Sequence, residues 1–194
     1  MLTIRPYQPG DKEDVRRVCM HAKPGETVEI NPARAASLAT YCDYYIECEP
    51  QNCFVAADGS GKVVGCVWCA EDYWRYYRRF AKEYLPGMRG LPLRKRADYR
   101  FAAWMPRWFA PKYPAHLHID VLGEYQRQGL GSQLMDALAA HLRAKGVPGV
   151  MLVVSAGNEK GMNFYRKYGF RQVRRISRAV VMGLRLSGVS RFIG

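Results

Sequence analysis

Apolar residues along the chain follow two periods. Runs at residues 2–6, 53–57, 62–70, 115–122, 150–154, 171–176 and 179–186 are alternating or continuously apolar and predict β-strands. Between them the spacing widens to three and four. Val15, Val18 and Cys19 follow a capping Asp11, so a helix is expected from residue 10 to about 22, broken by Lys23-Pro24-Gly25. Asn31-Pro32 sets an N-cap before a proline at the first helical position and predicts a second helix over 32–47. Leu130, Leu134, Leu138 and Leu142 make one i, i+4 ridge, the core face of a helix that runs to residue 145 and stops at Gly146. Residues 159–168 read as a further helix, stopped by Gly169. Asp58-Gly59-Ser60-Gly61 folds its flanking strands into a hairpin, and the last two strands form another. Strands 115–122 and 150–154 are joined by a helix and therefore lie parallel. The expected class is α/β, a mixed sheet flanked by helices, in one domain over residues 1–194.

Residues 71–114 break this rhythm. They hold 12 of the 24 aromatic residues and carry a net charge of +7, more than half of the chain's +13. Residues 72–84 can be helical, and Pro86, Pro92, Pro106, Pro111 and Pro114 punctuate the rest. About 44 residues are few for an independent core, so this stretch is expected as an inserted lobe with a few short helices.

Composition narrows the setting. No run approaches the roughly 18 apolar residues of a membrane span. Met1-Leu2-Thr3-Ile4-Arg5-Pro6 lacks the apolar core of a signal peptide. A cytoplasmic protein with no membrane partner is expected. Six scattered cysteines then default to free thiols. Cys66-Val67-Trp68-Cys69 lies in a predicted strand, where residues three apart point to opposite faces, and no second pair completes a metal site. The positive charge implies an anionic partner without saying which.

One stretch carries a sharper signal. Gln126-Arg127-Gln128-Gly129-Leu130-Gly131 lies where the apolar strand hands over to the leucine-ridged helix. Unpaired amides and the helix dipole make such a junction an anion site, and glycines let a ligand approach closely. The nucleotide P-loop would need Gly-Lys-Ser/Thr, which is absent. The dinucleotide fingerprint would need a third glycine where Leu134 stands.

Residues 126–131 resemble the Gln/Arg-x-x-Gly-x-Gly/Ala acyl-CoA signature of the GNAT N-acetyltransferase superfamily. Downstream, Asn158-Glu159-Lys160-Gly161-Met162-Asn163-Phe164-Tyr165-Arg166-Lys167-Tyr168-Gly169-Phe170 is similar to that family's second pattern, with Gly161 where alanine is usual. Tyr113-Pro114-Ala115-His116-Leu117-His118-Ile119-Asp120 resembles a narrower group, bacterial relatives of the acetyltransferase-like C-terminal domain of O-GlcNAcase. The resemblance implies a GNAT-like sheet splayed between strands 115–122 and 150–154, with acetyl-CoA as cosubstrate and an amine as acceptor. The pyrophosphate would sit on the amides of Arg127, Gln128, Gly129, Leu130, Gly131 and Ser132. The amides of Val121 and Leu122 would face the thioester oxygen. Asn158 would cap its helix and reach the pantetheine arm, and Tyr165 would protonate the leaving sulfur.

An amine nucleophile must lose a proton, since a lysine-like amine has a pKa near 10.4. Strand alternation puts His116, His118 and Asp120 on one face. Asp120 lies closest to the expected acetyl group and is the first candidate for the base or acceptor-orienting group, with His118 next. Each could equally be a partly buried structural residue. In the lobe, Trp74, Tyr76, Tyr77, Trp104, Trp108 and Phe109 could wall an acceptor pocket, and Arg78, Arg79, Arg94, Lys95, Arg96 and Arg107 could bind negative groups. The positive charge would repel a polycationic acceptor and suits a neutral or acidic one: an amino sugar, an amino acid or a peptide end. Two rival readings are a non-catalytic GNAT-fold module that holds acetyl-CoA, a glycan or a protein, and a nucleic-acid binder. No nucleic-acid motif backs the second. The closing hairpin and residues 187–194 are the segments a homodimer would use.

Overall fold

A computed structural model describes residues 2–21 and 29–186. Seven strands form one sheet in the order β1-β2-β3-β4-β5-β7-β6. They are β1 (Thr3–Pro6), β2 (Cys53–Ala57), β3 (Val63–Ala70), β4 (Ala115–Val121), β5 (Gly149–Ser155), β6 (Arg171–Ile176) and β7 (Ala179–Arg185), each where the apolar pattern puts it. All neighbours pair antiparallel except β4 and β5, which are parallel, as their helical connection requires.

Among the described residues seven α-helices accompany the sheet. The first, α1 (Lys12–Cys19), buries Val15 and Val18 but stops sooner than expected, and Met20 and His21 turn away from it. The breaker Lys23-Pro24-Gly25 and residues 187–194 lie outside the described residues. Asn31 caps α2 (Pro32–Leu38) by accepting a hydrogen bond from the Arg34 N–H at 3.0 Å. The expected single helix over 32–47 is interrupted by a widened π turn, Ala39–Asp43, before α3 (Tyr44–Cys48). Inside that turn the buried Thr40 hydroxyl donates to the Ala36 carbonyl at 2.8 Å.

The lobe contains α4 (Tyr73–Glu83) and α5 (Leu93–Trp104), joined by a 3-10 segment, Leu85–Gly90. Asp72 caps α4 through the Arg75 N–H at 2.7 Å. Tyr73, Tyr76 and Phe80 fall at helical spacing and are buried. Tyr76 packs edge-on against Tyr44, with ring centres 4.7 Å apart, and is stacked on Tyr45 at 5.9 Å. Much of the lobe's aromatic content is therefore core. On the other face of the sheet α6 (Leu130–Ala144) presents its leucine ridge, with Leu130, Leu134, Leu138 and Leu142 all buried. The last helix, α7 (Glu159–Tyr168), ends at Gly169 in a left-handed conformation.

Candidate active site

Strands β4 and β5 pair only at Ala115–Val150 and His116–Met151, then part. The space between them is a cleft of about 310 Å³. Its walls are residues 117–120 of β4, 152–155 of β5, Asn158 and Tyr165 at α7, and Cys19, Met20, Ser37 and Tyr41 from the first helices.

The strand edges facing this gap follow from the ladders outside it. The Leu122 N–H donates to the Val64 carbonyl at 3.0 Å, so even-numbered peptide groups of β4 face β3. Ile119 and Val121 therefore turn their N–H groups into the gap. The Ala156 N–H donates to the Arg178 carbonyl at 2.8 Å, which by the same alternation turns the peptide groups of Val153 toward β4. This corrects one expectation. The Leu122 amide is tied to β3, and of the expected pair only Val121 presents a donor. The Val121 carbonyl is covered by the Gln126 carboxamide, which donates to it at 2.9 Å.

The turn at 126–131 delivers the α6 N-terminus. Arg127 and Gly129 take φ of 61° and 77°, in the left-handed region that favours glycine. No side chain caps α6. The Gln133 N–H bonds the Gly129 carbonyl at 3.1 Å, leaving the Leu130, Gly131 and Ser132 amides as the first turn without intrahelical partners. Arg127, Gln128 and Ser132 are exposed beside it, and Gln128 closes the turn by donating to the Glu124 carbonyl at 2.9 Å. Gly131 has a different task. A Cβ there would stand 3.2 Å from Phe164 Cζ, so this glycine lets α7 approach α6.

Asp120, His118 and Tyr165 share the cleft wall. Burial pushes the Asp120 carboxyl up to about 7. His21 Nε2 lies 3.5 Å from Asp120 Oδ1. Burial, and then the Asp120 charge, pushes the Tyr165 phenol up to about 12, so it keeps its proton at neutral pH. Burial holds His118 down at about 4, and together with His118 it holds His116 down at about 3. Both imidazoles are therefore neutral near pH 7. The Tyr45 hydroxyl bridges them, 2.7 Å from His116 Nε2 and 3.1 Å from His118 Nε2. His116 Nδ1 is buried without a partner. An orphaned N–H is rarer than an orphaned lone pair, which puts the His116 proton on Nε2 and has Tyr45 donate to His118. Asn158 accepts from the Gly161 N–H at 2.9 Å and caps α7.

The cleft thus gathers Asp120, His118, Tyr165 and Asn158 as the sequence suggests. It does not gather Trp74, Tyr76, Tyr77, Trp104, Trp108 or Phe109, none of which is among its lining residues. The lobe reaches the cleft wall through the Tyr99 hydroxyl, 2.9 Å from Ser37 Oγ. The aromatic wall is Tyr41, edge-on to His118 at 5.4 Å. Ser37 and Tyr41 are four apart in one predicted helix, a polar pair on a shared face that could have flagged them. Nothing in the sequence marks His21 or Tyr45.

The model of the acetyltransferase (GNAT) family matches residues 21–170. The crystal structure of SsHAT is 25% identical, with a TM-score of 0.81 over 96% of this chain and 99% of that one. The ribosomal-protein-S18-alanine N-acetyltransferase of Escherichia coli is 18% identical, with a TM-score of 0.57 over 100% of this chain and 99% of that one. The NatC complex bound to Gag peptide and CoA gives 12% identity and a TM-score of 0.57 over 95% of this chain and 98% of that one. The last two show a shared fold. The family match spans most of the chain, and with the splayed parallel pair it leads to one conclusion: this protein belongs to the GNAT family of acetyltransferases.

Proposed function

We propose that the protein is an acetyl-CoA-dependent N-acetyltransferase acting on a primary amine of a neutral or acidic acceptor. The observation that carries this reading is the parting of β4 and β5 beside the part-buried Asp120 carboxyl, which burial pushes up to about 7. The family uses acetyl-CoA, and the residues present fit it. The N–H groups of Ile119 and Val121 and the peptide groups of Val153 are turned toward the gap, and the uncapped first turn of α6 suits a pyrophosphate. The thioester supplies the acetyl group. The Val121 N–H faces the place where negative charge grows on the carbonyl oxygen, and a fixed donor there lowers the barrier. Asp120 accepts the proton that the acceptor nitrogen loses as it attacks, directly or through water. Tyr165, still protonated, donates to the departing sulfur as the C–S bond breaks. His118 is a weak base at about 4, and its part is to orient the acceptor beside Tyr41. The stretch 113–120 supports placing the chain near the bacterial relatives of the O-GlcNAcase acetyltransferase-like domain.

The test is calorimetric titration with acetyl-CoA. Ser132 is exposed in the first turn of α6, where a glutamate favours the helix but repels a pyrophosphate. Ser132→Glu should weaken acetyl-CoA binding at least ~10-fold, a change of about 1.4 kcal/mol, with an unchanged melting temperature. Absence of binding to the unmodified protein at sub-millimolar ligand would sink the reading. Binding without turnover on any amine would favour the non-catalytic module.

A further inference from the structure

His21 follows the C-cap of α1 and ends the helix in the left-handed region, with φ of 52° and its N–H donating to the Val18 carbonyl at 2.9 Å. That turn brings its side chain, 64% exposed, to 3.5 Å from Asp120 Oδ1. We propose that His21 is the proton outlet of Asp120, a positioning residue that sets the state of the carboxyl and carries its proton to solvent. This rests on the reading of Asp120 as the base.

Each transfer to an ammonium acceptor releases one proton, which that reading delivers to an Asp120 oxygen. Before the next turnover the O–H bond must break and the proton must leave a largely buried site. The groups facing Asp120 come from four elements. His118 stands beside it on β4, Cys66 opposite it on β3, Tyr165 on α7, and Cys19 and His21 at the end of α1. His118 is neutral and a weak base. Burial pushes the Cys66 thiol well up, and Tyr165 keeps its proton. None of these three takes a proton from a carboxylic acid near neutrality. Imidazole is the side chain that exchanges protons in that range, and this one has an outer side in water. The proton passes from Asp120 to the lone pair of His21 Nε2, and the imidazolium gives its Nδ1 proton to water. Exchange with water at the exposed ring then returns the proton from Nε2 to Nδ1 and restores the lone pair that faces Asp120, and no electron moves. The separation is longer than a transfer distance, as in catalytic pairs before a substrate tightens them.

The pair is tested without knowing the acceptor. His21→Asn keeps a residue that tolerates positive φ and removes the imidazole. The Asp120 carboxyl carbon is followed by NMR from pH 4 to 9 in the full chain. In His21→Asn the Asp120 midpoint should rise by about half a pH unit or more, as expected when a nearby partner of opposite charge is lost. Superimposable Asp120 titrations in the two proteins would overturn the proposal. Coenzyme A release from acetyl-CoA by Asp120→Asn judges the base separately. Wild-type turnover there removes the base reading, whereas absent coupling with turnover lost removes only the outlet.

Discussion

Gly129, Gly131 and Gly161 show how a missing Cβ serves different ends within one site. Gly129 supplies a left-handed turn. Gly131 supplies room for Phe164, and Gly161 supplies room for Asn158, whose Nδ2 would be 2.7 Å from a Cβ at 161. Gly131→Val should cost about 1–3 kcal/mol, the usual range for overpacking, measured by urea unfolding. The cost should shrink in a Phe164→Leu background, since residues in contact do not behave additively. An unchanged cost in that background would mean the glycine is needed for its backbone alone. The first motif gave the place of Gly129 and Gly131, the second has alanine where Gly161 stands, and neither motif names Phe164 or Asn158 as the neighbour. A spacing reports that a side chain must be absent, but not which neighbour fills the space.

Between elements, the decisive contact is the buried Glu49, which follows α3. It is 2% exposed and accepts from Tyr44 Oη at 3.1 Å, Asn52 Nδ2 at 2.9 Å, the Glu71 N–H at 3.0 Å and Arg75 Nη2 at 3.1 Å. Asn52 is fully buried beside it, and its Oδ1 lies 2.9 Å from His141 Nε2 on α6. Lys145, at the end of α6, pairs with Glu71. One carboxylate therefore ties the root of the lobe to α3, and through Asn52 to α6. Glu49→Ala should destabilise the fold by about 3 kcal/mol, because the Tyr44 hydroxyl and the Glu71 N–H lose their acceptor and the cavity is unfilled, while Arg75 and Asn52 keep Glu71. A loss below about 1 kcal/mol in denaturant unfolding would show that water replaces the carboxylate. None of this was legible in the sequence, since Glu49, Asn52, Glu71 and His141 form no local pattern. The same limit hid the π turn, which no residue type announces. Strands and most helices were legible because burying one face imposes a period. The lobe misled because α4 carries aromatics on both its faces: Tyr76 is buried, whereas Trp74 is exposed.

For the molecule as a whole, the buried His116 and the part-buried His118 and Asp120 shape stability against pH. His116 and His118 titrate lower in the folded chain than in the unfolded one, so the stability they allow is present above about pH 6.5 and is lost as pH falls through about 4 to 3. Asp120 works the other way. Its folded value near 7 exceeds the unfolded value, so stability declines as pH rises from about 4 to 7. Across that window the histidines win, two protons against one. Asp120→Asn should steepen the rise and lift the plateau above pH 7 by roughly 2 kcal/mol, allowing for the part of the side chain that stays wet. A thermal unfolding series from pH 4 to 8 reads this, and parallel curves for the two proteins would refute it. The order of strands and the site were legible as far as the two glycine-containing motifs and the parallel pair reached. The aromatic wall and His21 come from helices that lie far from both motifs in the chain. The sheet itself has a mechanical consequence. Its four-stranded and three-stranded parts are boards laddered within themselves and joined by two rungs at Ala115 and His116. Val121 lies about 16 Å along the strand from those rungs, so a rotation of about 10° there moves the far end by about 3 Å. How wide the site stands is set by those two residue pairs together with the seat of α7 on α6, where Phe164 meets Gly131 and the Tyr168 hydroxyl donates to Asp136 at 2.8 Å.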